Sequence, residues 1–353
     1  MSEQPTEQPT EQPTGQPTVP PATIVLIHGL WMSPHSWQPW IDRFTAEGHT
    51  VHAPAWPGVS ELDQPLDHDR APADIGVTEL VDHYDAFIRS LPESPVVIGH
   101  SFGGLITQLL LDRGLCTVGV ALHPAPPRGV LRLPLATLRS SFPVLSNPAN
   151  RKRAVALNDS QFHYSFANTV SAEQAAQERA RFAVPGPGRP LFEAALANFT
   201  PKGRSSTEVE YDNADRAPLL LISGTEDHVV PAAVVHENFT RFGKSKALTE
   251  YKAYLGRDHG TAFHQGWEDV ADYALSWALA HRAPAEPVVA EEPVVPAGPA
   301  APVDPVGAAD PEVPAAPETA PEAAPKSAPE AAAEPEGPAD PPAPPAPPAP
   351  AGE

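Results

Sequence analysis

A serine between two glycines, directly after an apolar run, is the feature of this chain with the clearest chemical meaning. Residues 95–98 read Pro-Val-Val-Ile, and Gly-His-Ser-Phe-Gly follows at 99–103 before a helical pattern begins. A serine on such a tight strand-to-helix turn presents its hydroxyl, and glycines flank it because a Cβ would meet the neighbouring strand or helix. The pattern predicts that Ser101 is a nucleophile, the alternative being an ordinary serine in a glycine-rich turn.

A serine hydroxyl is a poor nucleophile at neutral pH and needs a base that titrates near neutrality, which points to histidine. His259 is the predicted base because it lies in a late loop between Gly256 and Gly260. His264 is the second choice. Asp258 adjoins His259 but is poorly placed to orient it, since neighbouring side chains in a loop usually diverge.

The orienting acid should follow a different strand. Asp227 lies in a Gly-Thr-Glu-Asp turn after the apolar run at 219–223, where it would hold the imidazole tautomer and stabilise the imidazolium. Glu226 is the alternative carboxylate. Asp227 has an alternative role as well, as a cap of the helix that begins near Pro231.

Acyl transfer places negative charge on an oxygen, which backbone amides must stabilise. The amide of Phe102 is predicted as one donor because it stands at the N-terminus of the helix after Ser101. The second donor is predicted to be the amide of Leu30, or else that of Trp31, in the loop after the first strand. His28 is expected to brace that loop, and His100 to pack beneath the sheet edge.

The substrate-binding residues are predicted to be Trp31 and Met32. Three aromatic residues of an inserted segment are predicted to lie nearby, and their alternative role is packing within the core of that segment: Phe162, Tyr164 and Phe166. No charged anchor for a carboxylate or phosphate stands out, which favours a neutral, largely apolar substrate. The histidines and carboxylates lack the spacing of metal ligands. We therefore expect a small-molecule substrate and neither a metal nor a cofactor.

The elements that must position these residues alternate between strand and helix along most of the chain. Such alternation predicts an α/β fold with a doubly wound, mostly parallel sheet of about six strands. A helical lid is predicted as an insertion at about 125–215, where the alternation breaks. The predicted strands lie at 23–28, 50–54, 95–98, 117–122, 218–224 and 247–251, and the predicted helices at 36–47, 77–91, 102–113, 171–182, 190–199 and 267–280.

Four motifs in this order resemble the α/β-hydrolase superfamily over about residues 21–282: His28-Gly29, Gly99 to Gly104, Ser223 to Pro231, and Gly256 to Gly260. The chain order serine, aspartate, histidine is the one this fold uses. Members usually begin with an antiparallel hairpin, for which this chain has only low-complexity sequence. The segments around Trp31 and Trp56 look like the compact esterases, methylesterases and hydroxynitrile lyases of the superfamily.

The resemblance implies a serine hydrolase that cleaves a small or medium, largely apolar carboxylic ester through an acyl-enzyme. One alternative keeps Ser101, Asp227 and His259 but performs lyase chemistry or, as a cofactor-free haloperoxidase, perhydrolysis. Hydroxynitrile lyases of this fold also use a lysine near the base, whereas Arg257 and Asp258 precede His259 here. An alternative of another class is a non-catalytic scaffold that docks a partner through its acidic tail, although such a scaffold would not need Ser101, Asp227 and His259 together.

The two ends of the chain have a composition that does not fold. Residues 1–20 repeat Glu-Gln-Pro-Thr and residues 283–353 consist mainly of Pro, Ala and Glu, so both are predicted to be disordered. They carry most of the formal net charge of −21, and the remainder has no basic patch for nucleic acid. The single cysteine excludes an internal disulfide. Without a secretory signal or a membrane-spanning segment, the expected compartment is the cytoplasm; the oligomeric state is left open.

Overall fold

The computed structural model describes residues 20–69 and 72–283. A six-stranded parallel sheet forms the centre, in the order β2-β1-β3-β4-β7-β8, which confirms the predicted fold class. The predicted disorder at both ends concerns segments that lie outside the described residues, apart from Pro20 and Ala283. The strands are β1 Thr23–Ile27, β2 Thr50–His52, β3 Val96–His100, β4 Val118–Leu122, β7 Leu219–Gly224 and β8 Thr249–Tyr254.

Alternate residues of each central strand enter two separate apolar cores, one on each face of the sheet. In β1, Ile24 and Leu26 face one core while Val25 and Ile27 face the other. This explains why the central strands read as continuous apolar runs, since strands covered on both faces have no solvent side. The helices outside the insertion are α1 Gln38–Ala46, α2 Val77–Arg89, α3 Phe102–Asp112, α8 Ala232–Arg241 and α9 Trp267–His281.

Several boundaries differ from the predicted ones by one to three residues, and two of these differences concern the first helix and the last strand. The helix predicted at 36–47 starts as a 3-10 turn at Pro34–Trp37 and becomes α-helical at Gln38. The last strand runs from Thr249 to Tyr254 rather than over 247–251. Five of its six residues are partly buried and Ala253 is exposed, and such an edge strand lacks the continuous apolar signal of the central strands.

The insertion lies between the end of β4 and the start of β7, as predicted, and forms a helical lid. A small antiparallel pair, β5 Ala154–Val155 with β6 Gly186–Pro187, was not predicted. Strands of two residues are too short to show a period of two. The lid helices are α4 Leu135–Leu145, α5 Asp159–Phe166, α6 Ala172–Phe182 and α7 Arg189–Leu196.

Within the described part of the chain, none of the helices combines the length and the apolar character that crossing a bilayer requires.

Candidate active site

The turn that carries Ser101 is as tight as the sequence predicted. β3 ends at His100, α3 begins at Phe102, and Ser101 between them has φ 57° and ψ −118°. A Cβ added to Gly103 would lie 2.1 Å from the carbonyl oxygen of Ile27, and one added to Gly99 would lie 2.1 Å from that of Gly103. Glycine is therefore required at both positions, because strand and helix backbones touch there.

Backbone strain is concentrated around this turn. Among the described residues, four other than glycine have positive φ, and three of these are Trp31, Ser101 and His123. They follow β1, β3 and β4, which are neighbours in the sheet. Such conformations cost on the order of 1–3 kcal/mol each and cluster at functional sites. The carboxyl edge of the sheet is thus the place where the fold tolerates strain.

Asp227 and His259 form a hydrogen-bonded pair at the same edge. His259 Nδ1 donates to Asp227 Oδ2 at 2.7 Å, and both side chains are fully buried. The other oxygen, Oδ1, accepts the amides of Val229 and Val230 at 2.7 and 2.8 Å. Burial alone would raise the pKa of Asp227, but His259, His123 and their hydrogen bonds hold that pKa well below its ordinary value. The ionised carboxylate fixes His259 as the Nδ1–H tautomer, which leaves Nε2 as the basic nitrogen.

The serine hydroxyl and this basic nitrogen are both unpartnered. Among the described residues, no hydrogen bond is made by Ser101 Oγ, and His259 Nε2 is buried without one. The ring of His259 lies 4.6 Å from that of His100, the residue before Ser101. The His100 Nε2–H in turn donates to the carbonyl oxygen of His259 at 2.8 Å. His100 is therefore buried as predicted, and it ties the loop of His259 to the end of β3, next to Ser101.

The alternative acid and base are placed elsewhere. Glu226 is exposed and accepts a hydrogen bond from its neighbour Thr225. His264 uses both ring nitrogens, Nε2 with Glu178 at 2.8 Å and Nδ1 with Asp258 at 2.9 Å. Burial alone would lower the pKa of His264, but these two carboxylates raise it to about 9. An imidazolium held in this way has no lone pair with which to accept a proton.

His123 is the residue that sequence reasoning missed. Its Nδ1 donates to the same Asp227 Oδ2 at 2.6 Å, and its side chain is fully buried. The pair is separated by 104 positions in sequence, so spacing carried no signal. A topological signal existed, because His123 directly follows the predicted strand at 117–122, just as Asp227 follows the strand at 219–223.

The ligand atoms of His123, Asp227 and His259 lie within 4.8 Å of one another, close enough to suit a metal ion. Two ligands bound tetrahedrally to zinc at about 2.0–2.1 Å would be about 3.3 Å apart. The two Nδ1–Oδ2 separations are 2.6 and 2.7 Å, which are hydrogen-bond distances. In this structure the cluster is held together by two hydrogen bonds that converge on one carboxylate oxygen.

The two amides predicted to stabilise a developing oxyanion are unpartnered. Leu30 and Phe102 are buried, and among the described residues neither backbone N–H has an acceptor. Buried amides without a partner are rare, because each costs about as much as a lost hydrogen bond. His28 braces the loop of Leu30: its Nδ1–H donates to the Gly29 carbonyl at 3.0 Å, and its Nε2 accepts the Trp56 amide at 3.1 Å.

That brace bears on the Leu30 amide directly. In a trans peptide the N–H points away from the preceding carbonyl, so fixing the Gly29 oxygen also fixes the direction of the Leu30 N–H. Both nitrogens of His28 have partners only when the ring is neutral. Burial outweighs the opposing effect of the Gly29 hydrogen bond and lowers the pKa of His28 to about 4.

The lid closes over these groups. The Phe166 ring of α5 lies 4.9 Å from that of His259 and 6.1 Å from that of Trp31. Trp31 donates its indole N–H to Val155 of the lid at 2.9 Å, while Met32 bridges to Ala183. Trp31 also lines a cavity of about 270 Å³ against lid residues, and Ser101 is not among its lining. The predicted substrate-binding pair therefore contacts the lid, and Ser101 itself is only 4% exposed.

A family profile described as "Alpha/beta hydrolase family" matches residues 24–273, whereas no curated protein matches in sequence. A monoacylglycerol lipase from Paleococcus ferrophilus is similar in structure, with 21% identity over 73% of this chain and 94% of that chain and a TM-score of 0.51.

Two further solved structures are similar to a comparable degree. An extracellular α/β-hydrolase from a Paenibacillus species has 19% identity, covers 72% of this chain and 98% of its own, and gives a TM-score of 0.53. A methylesterase from Arabidopsis has 14% identity, covers 73% and 98%, and gives a TM-score of 0.51. At such identities the likeness is one of fold.

Proposed function

The chain belongs to the alpha/beta hydrolase family, and on this premise we propose that it is a serine hydrolase. Its substrate would be a small or medium-sized, largely apolar carboxylic ester, cleaved through an acyl-enzyme intermediate. The observation that carries the proposal is the Asp227–His259 hydrogen bond. It leaves a buried, unpartnered Nε2 on a ring 4.6 Å from that of His100, the residue before the strained Ser101.

In the first half of the reaction, Ser101 Oγ attacks the ester carbonyl while its proton passes to His259 Nε2. Asp227 stabilises the imidazolium that forms. The carbonyl oxygen becomes negative and accepts the amides of Leu30 and Phe102, a type of stabilisation in which one donor is worth about 3 kcal/mol. The carbon–oxygen bond to the alcohol then breaks, and the alcohol leaves with the proton from His259.

In the second half, water gives a proton to His259 and attacks the acyl-enzyme, and the carboxylic acid leaves as Ser101 regains its proton. The hydrogen bond between Ser101 and His259 must form for this chemistry. Catalytic hydrogen bonds are often long or absent before the substrate binds. Because Phe166 covers His259, the lid must move for the ester to enter.

An apolar ester suits the surroundings of the reacting groups. Phe166 packs on His259, Trp31 on Phe166, and Phe162 stacks on Phe166 at 5.1 Å. Two structural neighbours are named as a lipase and a methylesterase, and both names denote ester-cleaving enzymes.

The test is labelling by a fluorophosphonate probe, which reacts with an activated serine. We expect the wild-type chain and Ser90→Ala, an exposed control, to be labelled, and Ser101→Ala to remain unlabelled. Failure of the wild type to react, or equal reaction of Ser101→Ala, would overturn the proposal. A series of p-nitrophenyl esters of increasing chain length then measures the acyl preference.

Deletion of residues 283–353 separates the enzyme from the scaffold alternative. We expect hydrolysis of a short p-nitrophenyl ester to stay within a few-fold of the full chain. A collapse of activity would make the acidic segment part of the function.

A further inference from the structure

A second imidazole occupies the carboxylate that His259 uses. His123 stands at the end of β4, fully buried, with its backbone held at φ 46°. Given the proposed function, on which this inference rests, we propose that His123 is a positioning residue: by sharing Asp227 Oδ2, it limits how strongly that carboxylate stabilises the imidazolium formed on His259.

The argument begins with the hydrogen bonds of Asp227. Oδ1 accepts the amides of Val229 and Val230, and Oδ2 accepts the Nδ1–H groups of His123 and His259. A carboxylate oxygen offers about two lone-pair sites, so both oxygens are fully engaged. The carboxylate cannot turn toward His259 without losing another bond, and this holds the His259 ring in one orientation.

Sharing also divides the negative charge. Each donor to Oδ2 draws on the same oxygen, so His259 receives less stabilisation as an imidazolium than it would from a carboxylate of its own. His123 does not need a proton on Nε2 for this effect, and among the described residues that nitrogen makes no hydrogen bond. His123 acts through its Nδ1–H, which competes with that of His259 for one oxygen atom.

The other charged and titratable groups around the pair do not compete for Oδ2. His100 lies 4.6 Å from His259 and 6.0 Å from His123, ring to ring, and donates to a backbone carbonyl. Asp258, next to His259, pairs with Thr169 and His264, and Glu178 pairs with His264. The lid side chain that packs against His259 is that of the uncharged Phe166.

Three variants of the full chain test the role. In His123→Asn the amide nitrogen can take the place of Nδ1, in His123→Gln it reaches the Nε2 position instead, and His123→Phe has no donor. We expect the acid limb of kcat/KM against pH to stay at its wild-type position in His123→Asn. In His123→Gln and His123→Phe it should move up by about 0.5–1 pH unit, with a fall in kcat of about tenfold as the ring of His259 loses its fixed orientation.

If His123 only fills space, His123→Phe would lower kcat or stability without moving the acid limb. His123→Asn would then restore no more activity than His123→Gln or His123→Phe. Either result overturns the inference. Should His123→Phe fail to fold, the contrast between His123→Asn and His123→Gln still decides, since the two side chains differ mainly in which ring nitrogen they replace.

A second readout needs no turnover. In protein labelled with ¹⁵N-histidine, the resting wild type should show both His123 and His259 as Nδ1–H tautomers with strongly hydrogen-bonded protons, and His123→Phe should retain only that of His259. If the wild type shows both protons but is not labelled by the fluorophosphonate probe, the proposed function is wrong while the shared carboxylate is retained. A spectrum with only one such proton in the wild type would remove the sharing itself.

Discussion

Two histidine–carboxylate clusters lie within a few residues of each other and have opposite hydrogen-bonding patterns. At Asp227, one carboxylate serves two imidazoles, and each imidazole keeps a free Nε2. At His264, one imidazole serves two carboxylates, Asp258 and Glu178, and has no free nitrogen. The first arrangement leaves a base available for chemistry, whereas the second makes a buried ion cluster that joins lid helix α6 to the loop of His259.

Residue type and proximity do not separate the proposed base from a structural histidine. His259 and His264 are both buried, both near glycines and both beside carboxylates. What separates them is whether the second ring nitrogen is engaged. His28, with both nitrogens paired, belongs with His264 by this criterion.

The largest expected effect contrasts the two aspartates. Asp227→Asn should lower kcat for a short p-nitrophenyl ester by about 10⁴-fold, the loss seen when the acid of a serine protease is amidated, because the histidine tautomer is no longer fixed. Asp258→Asn should leave kcat within about tenfold, since its carboxylate contacts Thr169 and His264. Equal losses in the two variants would erase the distinction between the clusters.

The second prediction concerns pH and stability. The folded pKa of His264, about 9, lies above the ordinary value of 6.5, so its contribution to stability is complete below pH 6.5. It is lost as the pH rises through 9, and amounts to about 3 kcal/mol. Urea unfolding of the wild type should therefore show declining stability between pH 6.5 and 9.

His264→Gln is the control for that decline. It should be less stable than the wild type at pH 6 and should show a flatter profile between pH 6.5 and 9. An unchanged profile would mean that His264 is not the group responsible.

Much of the fold and part of the candidate site could be predicted from sequence, and the limits have physical causes. Central strands were visible because burial on both faces makes them continuously apolar. Ser101 was visible because its turn requires glycines at fixed offsets. His123 was not, because its contact with Asp227 spans the sheet and leaves no local pattern. The same holds for the ion cluster of His264, whose partner Glu178 comes from the lid.

The third prediction tests a fully paired histidine near the proposed chemistry. His28→Leu removes the donor that fixes the Gly29 carbonyl, so the Leu30 amide should be less well oriented toward the oxyanion. We expect kcat to fall about tenfold with KM little changed, which is the pattern of an interaction made in the transition state. A rise in KM at constant kcat would instead place His28 among groups that affect ground-state binding.

The smallest expected effect lies at the outer end of the His264 cluster. Glu178→Gln keeps a hydrogen-bond partner for His264 but removes one of the two carboxylate charges beside it. This should lower the free energy of unfolding by about 1 kcal/mol, or the melting temperature by roughly 2–4 °C for a domain of this size. The control is Glu173→Gln, which lies on the same helix and is exposed and should leave the melting temperature unchanged.

If the lid is held partly by the Glu178–His264 pair, Glu178→Gln should also lower KM or raise kcat slightly for the bulkier esters, because α6 is released more readily. A fall in kcat/KM for every ester alike would show instead that the pair orients the loop of His259, which would bring the two clusters into one functional unit.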